Sequence, residues 1–498
     1  MISKKIATLA ATAVVMAGGS ALAEGPIEEH AEISGPFKTP MEVTATCLEC
    51  HEDAASQVMG TSHWTWTLKQ KLGDKTVLRG KKNALNNFCI SARGNEPRCT
   101  SCHVGYGWKD ATFNFKDENR VDCLVCHDTT GTYKKAPPGS GMPMGFSGIA
   151  KFDKKPVDLL NVARNVGKPR RANCLACHAN GGGGNAIKHG DIDLSLVKPT
   201  AEIDFHMAEE GAGFSCQDCH YTEEHMITGN AMVVSPAGDT PINCTDCHKE
   251  DVHNGSRIRG LLNKHARRVA CQTCHIPVFA KKFATKMSWD WSKAKNPKDL
   301  PKDQRIIKKH GHAVYIFKKG AFTYEDNVIP TYAWYNGTAG AYQIGDKIDP
   351  TKTTKLNYPL GSKDDPDSKI HPFKVHTGKQ VYDVDNKYLI APKIFPSGPD
   401  KDEAFWKSFD WDRAAKAGEK YSGLKYSGKY GFAPTETWWP TNHMVSPASK
   451  ALKCKDCHGR KGRLDWQALG YKEEPLRAKK RERLARRAAQ GAAPSAGH

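Results

Sequence analysis

The residues with the most obvious chemistry come in one repeated pattern. C-x-x-C-H occurs eight times: Cys47, Cys50 and His51; Cys99, Cys102 and His103; Cys123, Cys126 and His127; Cys174, Cys177 and His178; Cys216, Cys219 and His220; Cys244, Cys247 and His248; Cys271, Cys274 and His275; Cys454, Cys457 and His458. Random placement of 17 Cys and 21 His over 498 residues would give roughly 0.02 copies of this c-type haem attachment pattern. Residues three and four apart share one face of a helical turn. Two thiols can therefore add to the haem vinyl groups while the following imidazole reaches the iron. Zinc is the competing reading of C-x-x-C pairs, but zinc ribbons do not require a His after every second Cys. The expectation is eight covalently bound haem c groups, with the eight motif histidines as axial ligands.

Thirteen histidines lie outside the motifs, and each iron has a sixth position to fill. Low-potential electron-transfer haems are commonly bis-His. The best-placed second ligands are His63, His189, His206, His225, His253, His265 and His443. That makes seven, one short of eight. An extra histidine such as His30 or His376 would close the last site and favour a pure electron conduit over an enzyme.

The remaining sequence must position this array. Lys4 and Lys5, the apolar run Ile6 to Val15 and the small-residue site Ala21-Leu22-Ala23 read as a secretory signal peptide over 1–23. The rest has no run long enough to span a membrane, which predicts an exported, periplasmic protein. Residues 24–275 carry seven motifs, 276–440 none, 441–470 the eighth, and 471–498 form a basic tail. In 276–440 no apolar period is sustained among the Lys, Asp, Pro and Gly. This region reads as loops and short helices wrapped around the haems, and a small hairpin at most. With 39% hydrophobic residues and a mean hydropathy of −0.59, the chain is poor in apolar side chains. The haem macrocycles themselves are expected to serve as the core of a mainly α protein with extensive loops and little β.

The formal charge of +19 falls to +17 without the signal peptide. Eight haems with ionised propionates bring the total to roughly +9 when oxidised and +1 when reduced. Many of the 73 Lys and Arg then serve propionates rather than a nucleic-acid face. The tail "YKEEPLRAKKRERLARRAAQ" has Pro475 at a plausible helix start and a net +5 between Lys472 and Arg487. It reads as a solvated helix, with docking to an acidic redox partner or anionic surface as the alternative. The glycines Gly181 to Gly184 lack the G-K-[ST] of a phosphate loop and instead suit a close backbone approach.

Several segments resemble the octahaem tetrathionate reductase family of multihaem cytochromes c: "NNFC", "CTSCHVGYGW", "VDCLVCHDTTGTYKK", "CLACHANGGGGNAIKHGD", "VACQTCHIPVFA" and "WWPTNHM". The similarity runs from about Cys47 to His458 and includes the long gap before the eighth motif. It implies that one haem, on Cys99 and Cys102, is bound by a lysine amine, with His103 proximal and Lys188 distal. It also implies that Cys89, Asn86 and Asn185 share that pocket, although the family pattern has Asp where this chain has Asn185. The implied activity is reduction of a small oxyanion, tetrathionate to thiosulfate being favoured. Reduction of nitrite or hydroxylamine on the same haem is the closest alternative. Electrons would come from a redox partner protein or a quinol-linked donor cytochrome.

Overall fold

The computed structural model describes residues 28–88, 90–229 and 242–491. Residues 1–23, expected to form a signal peptide, and Cys89 lie outside the described residues. No helix among those described is long and apolar enough to cross a membrane.

The expectation of a mainly α protein with little β is overturned. Twelve strands form one mixed sheet, and most of them come from the region read as loops and short helices. Its centre is a 15-residue strand, Lys369–Asp383. With β1 (Leu68–Leu72), β2 (Lys75–Arg79) and β3 (Thr285–Asp290) preceding it, this strand is β4. It pairs antiparallel with β5 (Tyr430–Pro440) in continuous register from Phe373↔Pro440 to Asp383↔Tyr430, and parallel with β3 through Gly378↔Trp289. The β1–β2 hairpin joins the far edge through Leu72↔Ala339.

Polar residues on the inward faces hide this sheet from hydropathy. Lys374, His376 and Gln380 of β4, and Thr435 and Thr437 of β5, are all buried. Most buried polar groups are hydrogen-bonded. Here Thr435 donates to Gln380 (2.8 Å) and Thr437 to Asn87 (2.9 Å). The alternation that marks a strand is present in space but mixes Thr, Lys and His with Phe and Trp.

The largest apolar cluster lies against this sheet. It joins Trp289, Trp291, Phe373, Phe405, Trp411 and Trp439 to Phe88, Ile90 and Ile187 from the motif-rich half. Around the motifs the apolar clusters are small, as in Val43, Leu124, Leu159, Val162 and Ala163, and the longest helix there has nine residues, Pro40–Leu48. The sheet is thus a rigid platform, and the Phe88 and Ile187 segments are fastened to it.

Candidate functional site

The motif cysteines adjoin one another in an ordered series. Hydrogen-bonded thiol neighbours link the first motif to the third (Cys47 and Cys123), the second to the fourth (Cys102 and Cys177), the fourth to the fifth (Cys174 and Cys216) and the sixth to the seventh (Cys244 and Cys271). Electrostatic proximity adds the third to the fourth (Cys126 and Cys174), the fifth to the sixth (Cys219 and Cys247) and the seventh to the eighth (Cys274 and Cys457). The fourth motif, which adjoins the second, third and fifth, is a junction. No three His, Cys, Asp or Glu side chains converge on a metal-sized point among the described residues.

Seven motif histidines each face a second imidazole. The pairs, with ring-centre separations, are His51 and His30 (6.1 Å), His127 and His225 (6.3 Å), His178 and His63 (6.1 Å), and His220 and His443 (6.3 Å). The others are His248 and His206 (6.0 Å), His275 and His253 (6.5 Å), and His458 and His265 (6.2 Å). Two metal–nitrogen bonds of about 2 Å each, plus the distance from each nitrogen to its ring centre, require about 6 Å. The residues therefore fit an iron with two axial imidazoles at seven places. Hydrogen bonds fix the ring orientation, as metal-binding histidines require. His127 Nδ1 donates to Gly167 O (2.9 Å), His220 Nδ1 to Thr228 O (2.9 Å) and His265 Nδ1 to Leu261 O (2.8 Å). A carbonyl can only accept, so Nδ1 carries the proton and the Nε2 lone pair is free for a metal.

Two expectations change here. His30, not His189, completes the set of seven; the His189 ring lies edge-on to Trp439 at 4.7 Å. His376 lies flat on Phe88 at 4.2 Å, with both ring nitrogens buried and unpartnered, and faces no motif histidine.

His103 is the exception among the motifs. It is fully buried in a box of Trp64, Trp66, Trp108 and Phe113. Its Nε2 lies 2.7 Å from Trp64 O. That carbonyl fixes the proton on Nε2, the nitrogen that His127 and His220 keep free. Nδ1 has no partner. Lys135 braces the turn by donating to the His103 carbonyl while its amine pairs with buried Asp122 at 2.9 Å. His103 is thus the one motif histidine that faces aromatic rings rather than a second imidazole among the described residues.

The base near this attachment site is Lys188. Its amine lies 4.8 Å from the centre of the Trp439 ring and is pushed down to about 7, first by burial and then by the Lys81 charge, with Cys102 acting oppositely. Once Cys102 is a thioether, that opposing influence disappears. Lys81 is held beside the site, donating to Cys99 O (3.2 Å) over the Trp66 ring. The glycine run shapes the path of Lys188. At Gly182 (φ +78°) a Cβ would meet Ile187 at 3.0 Å and Phe88 at 3.4 Å; a side chain there would be strained as well as crowded.

Two residues overlooked in the sequence hold this segment. Buried Lys374 donates to Ile187 O (3.1 Å), Lys188 O (3.2 Å) and Thr285 Oγ1 (2.6 Å). Buried Asn87 donates to His376 O at 2.8 Å, in space left by Gly378, where a Cβ would stand 2.8 Å from the Asn87 Cβ. A lysine on a strand gives no sequence signal that its amine will be buried on carbonyls.

Asn86 shapes a turn. Its Oδ1 accepts from Phe88 N (3.0 Å), and its N donates to Ile90 O (2.8 Å). Asn185 Oδ1 accepts from Leu194 N at 2.8 Å.

Comparisons with known proteins agree with the motif chemistry. Residues 286–461 match the family model "Cytochrome c bacterial", and residues 46–128 match "Cytochrome c554 and c-prime". An uncharacterised protein of Archaeoglobus fulgidus is 27% identical over 278 residues, 47% of this chain and 92% of its own. The crystal structure of octaheme cytochrome c from Shewanella oneidensis is 52% identical, with a TM-score of 0.80 over 90% of this chain and 98% of its own. The chain belongs to the octahaem cytochromes c. As a member of that family it carries covalently bound haem c, and its eight attachment motifs match the eight haems for which the Shewanella relative is named.

Proposed function

We propose that this octahaem cytochrome is an exported reductase in which seven haems with paired histidines feed one haem of different ligation, bound by Lys188 and attached at Cys99 and Cys102. The observation that carries the reading is the asymmetry of the imidazoles: seven motif histidines face a partner, and His103 is turned into an aromatic box.

When bound, the haems store single electrons and relay them one at a time. The chain's own residues do the rest. An ordinary lysine amine near pKa 10.4 would pay roughly 5 kcal/mol to shed its proton at pH 7. Burial and Lys81 remove most of that cost, so Lys188 is a ready neutral donor. No second imidazole faces His103, so Lys188 would hold the remaining position and, as a weakly held amine, would yield it to substrate. Lys81 supplies fixed positive charge for an anion, and the Trp66 and Trp439 rings exclude water.

Tetrathionate is the favoured substrate, through Cys89. In this scheme the Cys89 thiolate attacks a sulfur–sulfur bond, forms a Cys–S–thiosulfate adduct and expels one thiosulfate. Two electrons then cleave the new bond, releasing the second thiosulfate and restoring the thiolate, so charge and atoms balance. Nitrite or hydroxylamine reduction at the same open position is the second reading, and it needs no thiol. The test is Cys89→Ser assayed against tetrathionate and hydroxylamine with reduced methyl viologen. Selective loss of tetrathionate turnover supports the thiol step, and intact tetrathionate turnover contradicts it.

A further inference from the structure

The two ends of the motif series carry opposite charge. At the first motif, residues 28–53 hold seven carboxylates against the single Lys38; Glu29, Glu32, Glu42, Glu49, Glu52 and Asp53 are exposed. At the eighth, residues 450–487 hold fourteen Lys and Arg against five Asp and Glu. A net −6 and a net +9 thus sit at two termini of one series.

The basic end is tied to its motif by one carboxylate. Glu474, buried, accepts from His458 Nδ1 at 2.5 Å. The same group accepts from the backbone N–H of Leu476 (2.8 Å) and of Arg477 (2.9 Å), capping the helix Pro475–Gly491, here α1. The histidine of the eighth motif and the start of the basic helix therefore share an anchor. Lys479, Lys480 and Arg483 are exposed on this helix, with Leu476 and Leu484 also exposed, at 53% and 52%. Lys453, Lys455, Arg460 and Lys461, all exposed, extend the charge around the motif.

We infer that this surface is the docking site of a small acidic redox protein that delivers electrons at the eighth haem. The inference rests on the reductase reading for the direction of electron flow. Complementary charge of this density steers encounter and makes the rate salt-dependent. The exposed leucines supply the apolar contact that such an interface needs at its centre. The acidic first-motif end repels the same partner, which makes it an internal control.

The experiment uses the holoprotein and, as probe, the hydroquinone of an acidic flavodoxin, with haem reduction followed by stopped flow. The triple variant Lys479→Glu, Lys480→Glu, Arg483→Glu should lower the second-order rate about tenfold at low salt and flatten its salt dependence. The matching reversal at the first motif, Glu29→Lys, Glu32→Lys, Glu49→Lys, should leave the rate unchanged or raise it. An unchanged rate in the first variant overturns the inference. So does tight binding of the holoprotein to phosphatidylglycerol vesicles that the triple variant loses while its flavodoxin rate is unaltered; the surface would then be a membrane contact. Substrate turnover driven by methyl viologen is measured in parallel. Its absence in the unmodified protein faults the reductase reading and leaves the flavodoxin result to decide the docking surface.

Discussion

His178 and His103 occupy the same position in the same five-residue pattern, yet their surroundings are opposite. His178 looks across 6.1 Å at His63 and is pushed down to about 3 by burial, then by His63. His103 is lowered equally, again chiefly by burial, but spends its Nε2 on a main-chain carbonyl. The difference teaches that the pattern dictates covalent attachment, whereas axial ligation depends on what the rest of the fold brings to the ring. Around His103 the fold brings five aromatic rings and a lysine-braced turn.

The sharpest way to break this contrast is to remove the amine. Lys188→Ala should reduce substrate turnover by more than about a hundredfold while leaving the seven paired sites intact. The loss should appear both in viologen-linked assays and as a changed signal from a single iron. Next in size is Cys89→Ser, for which tetrathionate turnover should fall at least about tenfold with hydroxylamine turnover retained.

A third comparison concerns two histidines the sequence treated alike. His63→Ala should convert one low-spin iron to high-spin, because it removes the partner of His178 at the junction of the series. His189→Ala should leave the count of low-spin irons unchanged. Spectra of the oxidised proteins check both.

That pair also shows what could be read from sequence. Attachment was legible because it is local chemistry: two thiols and an imidazole on one helical turn. Second ligands were only partly legible, because they come from distant chain positions, as His443 comes to His220. His189 looked suitable beside Lys188, but the turn that carries it directs its ring to Trp439. His30 lay ahead of the first motif and still reaches His51. The sheet was not legible. The inward residues of β4 and β5 include bonded Lys, Gln and Thr and a His376 ring stacked on Phe88, so burial there is not written as hydropathy. Lys188 is visible only through the family resemblance, and Lys374, which holds its backbone, carries no sequence signal.

Lys374→Met keeps most of the side-chain volume but leaves two carbonyls and a threonine hydroxyl without their donor. Stability should drop by about 1–3 kcal/mol, measured by thermal unfolding of the holoprotein, and cyanide should bind more readily at the altered site as the Ile187–Lys188 segment loosens. The smallest effect is expected at the far end. Glu474→Gln weakens the charge on His458 Nδ1 and should raise the potential of one haem by on the order of tens of millivolts, visible in a spectroelectrochemical titration.

The central claim is that one iron is held differently from seven others. Near-infrared magnetic circular dichroism of the oxidised holoprotein tests it most directly, since amine and imidazole ligands give separate charge-transfer bands. The account predicts seven haems with bis-imidazole bands and one with an amine-type band that Lys188→Ala abolishes. Eight bis-imidazole haems, unaltered by that substitution, would contradict it.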